Sequence, residues 1–315
     1  MEPITKLTLN FNYFLKRLNP SPTYVEIASS AHSSIRSLIE DKNGSAGNLR
    51  IRSFIQGSYG RDTAIHSIND VDIVALCSLS YKQTANQNTR NQIFDTIASS
   101  IATNRRYKGK IYYKDHSMCI KVKLEGITVE ILPALSVSGK SFDYEPFYVY
   151  RPKDEINGGY WDNTYARKHQ ELLTMKNSKT EGSFIPMIKI LKHIRLIDND
   201  FEALDAVSFH IECLLFAIKN SVYNESTSKC IESILASLAG FTPVKAKQSG
   251  LKTPCGDELI FSSNKWSDVA YQRFHSSVLR WREIVQKANR SNDTDKAITE
   301  WKKLLGDTYF PRNPQ

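Results

Sequence analysis

Asp70 and Asp72 stand two positions apart at the head of the apolar run Ile73-Val74-Ala75-Leu76, and this pairing constrains the fold more than any other feature of the chain. Side chains two apart leave the same face of a strand, so both carboxylates emerge together from a segment that otherwise belongs in a core. Two acids on one such face repel each other unless a counter-charge joins them. Upstream lies Gly57-Ser58, with eleven residues, Tyr59 to Asn69, before Asp70. Glycine lets the main chain approach a ligand closely, and a turn of this kind presents backbone N–H groups to an anion. The spacing predicts a βαβ-sized segment: a strand ending in the Gly-Ser turn, a short crossover, then the acidic strand.

A third carboxylate is expected from a neighbouring strand, and Gly126–Ala134 supplies it. Ile127, Val129 and Ile131 alternate as a core face, which turns Thr128 and Glu130 the other way. Pro133 is expected to end that strand by removing a ladder donor, and Glu125, beside Gly126, reads as a hairpin-turn residue. A hard divalent cation carrying a nucleoside triphosphate suits such oxygen ligands, because carboxylates and substrate phosphates together complete its shell.

Strand and turn signals dominate from about residue 50 to 150, and helical periodicity takes over after about 165. Ser21-Pro22 reads as N-cap and first helical residue of a helix continuing to Asp41, and 91–103 as a helix with Ile93, Ile97 and Ile101 on its buried side. Apolar residues spaced by three or four mark helices over 184–197, 209–218, 230–238, 269–288 and 295–305, with a polar loop near 220–229 and a Pro/Gly-punctuated loop carrying Lys245, Lys247 and Lys252. The expected class is α+β: a mixed-sheet lobe with helices over 1–165 and a helical lobe over 166–315, with the active site in the cleft between them. Lys189, Lys192 and Arg195 are expected on the polar side of the 184–197 helix, either solvated or reaching a triphosphate.

The net charge of +9 suits anionic partners. Its densest source is Arg105, Arg106, Lys108, Lys110 and Lys114, interleaved with Tyr107, Tyr112 and Tyr113, which reads either as a solvated hairpin or as a grip on single-stranded nucleic acid. Five scattered cysteines show no zinc spacing and are expected reduced. No apolar run is long enough to span a membrane and the N-terminal residues lack a secretory pattern, so a cytoplasmic protein is expected.

The segment SFIQGSYGRDTAIHSINDVDIVAL resembles the GS…DxD motif of the polymerase β-like nucleotidyltransferase superfamily. GSYGRDTAI, DVDIVAL, VEILPAL, GGYW, IPMIKILKHIR, VSFHIE and EWKKLLGDTYFP, in that order, are similar to the bacterial cGAS/DncV-like nucleotidyltransferases (CD-NTases, SMODS type). That resemblance implies condensation of ATP, GTP or another NTP into a cyclic di- or trinucleotide second messenger for anti-phage (CBASS) signalling, alongside CBASS regulatory or effector proteins. It assigns Asp70, Asp72 and Glu130 to catalysis on two Mg²⁺ ions, or Mn²⁺ in their place. Gly57 and Ser58 fall to the donor phosphates, Lys192 to a phosphate and Ser208 to the donor nucleotide. Asp62 stands where the family often has glycine, Glu130 where it often has Asp, and the zinc-binding insertion of the animal DNA sensor is absent, which argues against duplex-DNA activation. Trp161 and Asn163 are placed in a loop, where they read an acceptor base or where the tryptophan closes the lobe interface; His66 is a loop residue without a catalytic duty. The competing activities are transfer of NMP to tRNA or protein, and a non-catalytic nucleic-acid-binding module.

Overall fold

A computed structural model describes residues 6–80, 82, 86–114, 117–139, 146–154, 158–198, 206–261 and 266–311. Helices α1 (Lys6–Leu18) and α2 (Pro22–Glu40) precede β1 (Arg52–Gln56), a helical turn α3 (Gly57–Gly60), β2 (Asp70–Ser80) and α4 (Gln87–Ala102). Strands β3 (Ile111–Tyr112), β4 (Ile120–Leu124), β5 (Ile127–Ser136), β6 (Phe147–Asp154) and β7 (Gly158–Thr164) follow. The remaining helices are α5 (Ala166–Lys179), α6 (Phe184–Ile197), α7 (Ser208–Ala217), α8 (Thr227–Gly240), α9 (Pro243–Gln248), α10 (Asp268–Asn289) and α11 (Thr294–Leu305).

The chain divides into a sheet unit, Pro20–Asp62 with Ser67–Gln170, and a helical unit, Met1–Asn19 with Thr63–His66 and Glu171–Gln315. In the sheet unit the strand order is β1-β2-β5-β4-β3, with β6 on β5 and β7 on β6. Among the described strands only the β2–β5 pair runs parallel. Helix α2 starts where its sequence says it should: Ser21 accepts from the Tyr24 amide at 3.1 Å and Pro22 occupies the first turn, where its missing N–H costs nothing. Ala31, Ile35 and Ile39 of α2 and Ile93, Phe94, Ile97 and Ile101 of α4 share one core with Ile73, Ala75, Val129 and Ile131 of the sheet. Odd-numbered residues of β2 and β5 therefore face these helices, and Val74, Leu76 and Ala134 pack on the other face with Phe147 and Val149.

Several local expectations are corrected. Strand β1 runs antiparallel to β2, so the link between Ser58 and Asp70 reverses the chain instead of crossing over; a parallel return needs a dozen or more residues. Pro133 does not stop β5, which continues to Ser136. It falls between the last residue paired with β4, Ile131, and the first paired with β6, Ala134, so it lies where neither antiparallel neighbour is in register with it. Gly158–Thr164 is a strand paired along β6, and Trp161 is buried against Tyr150 rather than held in a loop. The 220–229 stretch holds a 3₁₀ turn (Asn220–Asn224) and the start of α8, while Lys245 and Lys247 lie on the short helix α9.

The helical unit buries Phe11, Phe14 and Leu18 of α1 with Phe184, Ile188, Leu191 and Ile194 of α6 and with Trp301, Leu305 and Phe310. Phe11 meets Trp301 and Phe310 edge-on at 4.9 and 5.0 Å. Lys176 of α5 is buried yet satisfied: its ammonium donates to the carbonyls of Phe216 and Ile218, which end α7, and to Asn220 Oδ1. Burial pushes its pKa down to about 8.

Candidate functional site

The register of three strands places the sequence-predicted acids. Asp72 is paired with Glu130 across the parallel β2–β5 ladder and with Gln56 across β1–β2, while Glu130 is paired with Lys121 across the β4–β5 hairpin. Paired residues project to the same side of a sheet, so Gln56, Asp72, Glu130 and Lys121 form one row, with Asp70 and Thr128 in the row beside it. The Glu125-Gly126 turn, with Gly126 at φ 75°, sets this register as expected.

Directly after β1, Gly57 has φ 72° and no space for a side chain, because a Cβ there would lie 1.7 Å from Asp72 Oδ2. Glycine is required twice over, for the left-handed backbone and for the approach of the main chain to the carboxylate. Asp62, where the resemblance expects glycine, also adopts a left-handed conformation, φ 55°, which aspartate tolerates better than most residues.

The acids share an electrostatic strain. Burial, then the charges of Asp70 and Glu130, raise the Asp72 pKa to about 6, with Arg61 and Lys121 pulling the other way. Asp70 is raised too, by burial and by Glu130. Tyr24 donates to the Asp70 carbonyl at 3.0 Å and packs beside these charges. A partly buried pair of carboxylates that resists ionisation, offering only oxygen donors beside a glycine backbone, suits a hard divalent cation. Among the described residues no three acidic, thiol or imidazole groups are already gathered to hold one. Glu130 shows why: Lys121 Nζ holds its Oε1 at 2.6 Å, and the Cys119 thiol donates to Oε2 at 3.3 Å.

Lys192 and Ser208 belong to the helical unit. Lys192 is buried, 3% exposed, and its ammonium meets Glu212 Oε1 at 2.7 Å, Thr63 Oγ1 at 2.9 Å and the Thr63 carbonyl at 3.1 Å. Lys189 is buried as well and reaches Asn19 Oδ1 at 2.9 Å, so the expected polar side of this helix faces inward. Ser208 opens α7 and accepts from Arg195 at 3.3 Å. His66 is more than a loop residue. His193 Nε2 donates to the Leu305 carbonyl at 2.9 Å, so its neutral ring accepts at Nδ1 from His66 Nε2 at 3.1 Å, and the Tyr309 hydroxyl completes the chain at His66 Nδ1, 3.0 Å away. The segment Thr63–His66, between the Gly-Ser turn and Asp70, is thus tied to α6, α7 and the 305–309 region.

Lys121 and Cys119 were not singled out from the sequence, yet the hairpin carried the signal: once Glu125-Gly126 forms the turn, Glu130 must face Lys121. Of the aromatics in the basic cluster at 105–114, Tyr107 is fully buried, Tyr113 is bonded to Asp95 at 2.7 Å and Tyr112 is half exposed. No helix among the described residues is long and apolar enough to cross a membrane.

A family model described as the Second Messenger Oligonucleotide or Dinucleotide Synthetase domain matches residues 6–177, and one described as the cGAS/DncV-like nucleotidyltransferase C-terminal helical domain matches 171–283. The chain is 24% identical to a cyclic AMP-AMP-AMP synthase of Acinetobacter sp. (strain ATCC 27244 / 9458), over 99% of this chain and 88% of that protein. It is 23% identical to a cyclic UMP-AMP synthase of Rhodothermus marinus (strain SG0.5JP17-172), over 78% and 89% respectively. Among solved structures, E. coli MS115-1 CdnC with ATP superposes with a TM-score of 0.72 at 14% identity, covering 98% of this chain and 99% of that one.

Proposed function

Because the chain belongs to the Second Messenger Oligonucleotide or Dinucleotide Synthetase family, we propose that it condenses nucleoside triphosphates into a cyclic di- or trinucleotide signal for CBASS-type phage defence. The observation that carries the reading is the row in which Asp72 and Glu130 stand abreast while the Gly57 backbone closes on Asp72. Asp70, Asp72 and Glu130 would hold Mg²⁺, with two ions as the family chemistry implies. Bound there, the metal would acidify an acceptor ribose hydroxyl and neutralise the triphosphate and the departing pyrophosphate. The chain's own share is positioning and charge. The Gly57-Ser58 turn offers backbone N–H groups and a hydroxyl to the donor phosphates. Lys192, held on Glu212 and Thr63, acts on the 63–66 segment and thereby on the link between the phosphate turn and the acids. Ser208 is assigned to the donor nucleotide by family resemblance.

Relatives of nearly equal identity are named for different bases, AMP-AMP-AMP and UMP-AMP, so the base chosen by this chain does not follow from kinship. Incubation with each radiolabelled NTP and Mg²⁺ or Mn²⁺, followed by phosphatase, tests the proposal. A phosphatase-resistant small product, lost in Asp70→Ala/Asp72→Ala, is expected. Label that appears only in an added tRNA or protein would replace this reading with macromolecular NMP transfer.

A further inference from the structure

The lysine paired with Glu130 has no part in the scheme above, yet it is bonded directly to one of the three acids. Lys121 and Glu130 are cross-strand partners, and their ion pair is 2.6 Å long. Lys123, two residues on along the same face, points elsewhere: its ammonium sits over the Tyr112 ring, 5.0 Å from the centroid. Lys121 therefore carries the counter-charge that β4 offers the acids, and its field acts on Asp70 and Asp72 as well as on Glu130. Arg61 supplies a second positive field at Asp72. Both Glu130 oxygens are engaged by β4 and its leading residue, through Lys121 and Cys119. A divalent ion that takes Glu130 as a ligand must compete with those bonds and with the ammonium's charge.

We infer that Lys121 is an exchangeable internal counter-ion: it occupies Glu130 in the metal-free protein, must release that carboxylate when a divalent cation enters, and so sets the affinity of the acidic row for metal. The inference rests on the reading that Asp70, Asp72 and Glu130 hold the cation. The pair is suited to exchange because Lys121 is about half exposed, 46%, and Glu130 only 24%; an ion pair this open contributes little free energy and opens readily. A buried pair would lock the site shut. The cost of release is small, and a departing ammonium lowers local positive charge just as the metal brings its own.

The test is Mn²⁺ binding to the nucleotide-free full chain, read from the free-Mn²⁺ electron paramagnetic resonance signal, with folding checked by circular dichroism. Lys121→Met is expected to bind Mn²⁺ about three- to tenfold tighter than wild type, the gain expected from removing a partly exposed like charge. Lys121→Arg, which keeps the charge, should stay within about twofold. In a Glu130→Gln background the Lys121→Met gain should shrink, because the carboxylate that the lysine guards has gone. Unchanged or weaker Mn²⁺ binding in Lys121→Met, with Asp72→Asn still abolishing binding, overturns the counter-ion role and leaves the acid site standing. Mn²⁺ binding that is undetectable in wild type, or indifferent to Asp72→Asn, overturns the acid site and the counter-ion role with it.

Discussion

A methyl group at residue 57 would collide with the Asp72 carboxylate and would also have to adopt φ 72°. Gly57→Ala should therefore push the Asp72 carboxylate aside by more than an ångström while leaving the sheet intact. Turnover is expected to drop at least about 100-fold, since small misplacements at a reacting centre cost that much, whereas the melting temperature should shift by only a few degrees. Steady-state assay and calorimetry on the same preparation check both halves. Lys192 makes the opposite prediction. Its Glu212 partner has no solvent exposure, so Lys192→Met strands a buried carboxylate and should destabilise the helical unit by about 3–5 kcal/mol. Adding Glu212→Leu should recover most of that loss in urea unfolding, because removing both charges costs far less than removing one.

At the level of helices and strands, the features set by local rules were readable in advance. Ser21-Pro22 starts a helix because the hydroxyl caps an amide and proline has no donor to waste, and Glu125-Gly126 turns because glycine accepts φ 75°. Asp70 and Asp72 were placed on one face by the two-residue strand period alone. What escaped depended on long-range pairing. Pro133 is tolerated inside β5 only because β4 ends before it and β6 begins after it, and Trp161 is in a strand only because β6 runs beside it. The polar face of α6 reads from the sequence as solvated or reaching a triphosphate, whereas Lys189 and Lys192 are buried and bonded to acceptors contributed from elsewhere in the chain, Asn19 and Glu212. Lys176 is a similar case, capping the end of α7 from α5. Lys176→Met should leave the Phe216 and Ile218 carbonyls without their donor and cost about 2–4 kcal/mol in denaturant titration; a change within about 0.5 kcal/mol would show that water replaces the ammonium.

For the molecule as a whole, the histidine chain makes stability depend on pH. Burial holds the His193 pKa down at about 4, against 6.5 for a free imidazole, and lowers His66 as well. At these histidines the unfolded chain thus binds more protons than the folded one below pH 6.5. Their contribution to stability is fully present above that value and is lost as pH falls from 6.5 towards 4. Asp72, held up at about 6, works the opposite way over the same fall. His193 alone should remove about 2 kcal/mol by pH 5. Tryptophan fluorescence suits the measurement, because Trp266, Trp281 and Trp301 lie in the helical unit and only Trp161 in the sheet unit. His193→Gln should remove the loss on acidification between pH 7.5 and 5; an equally steep loss in that variant would move the cause to other groups.

The four-residue visit of Thr63–His66 to the helical unit, together with α1, has a practical consequence for anyone wishing to dissect the protein. A fragment beginning near residue 171 would arrive without Phe11, Phe14 and Leu18 to fill its interior, and without the threonine and histidine on which two of its buried polar networks close. Such a fragment should aggregate or stay molten on expression. The back half of this polypeptide is a compact body in space without being a transplantable stretch of gene.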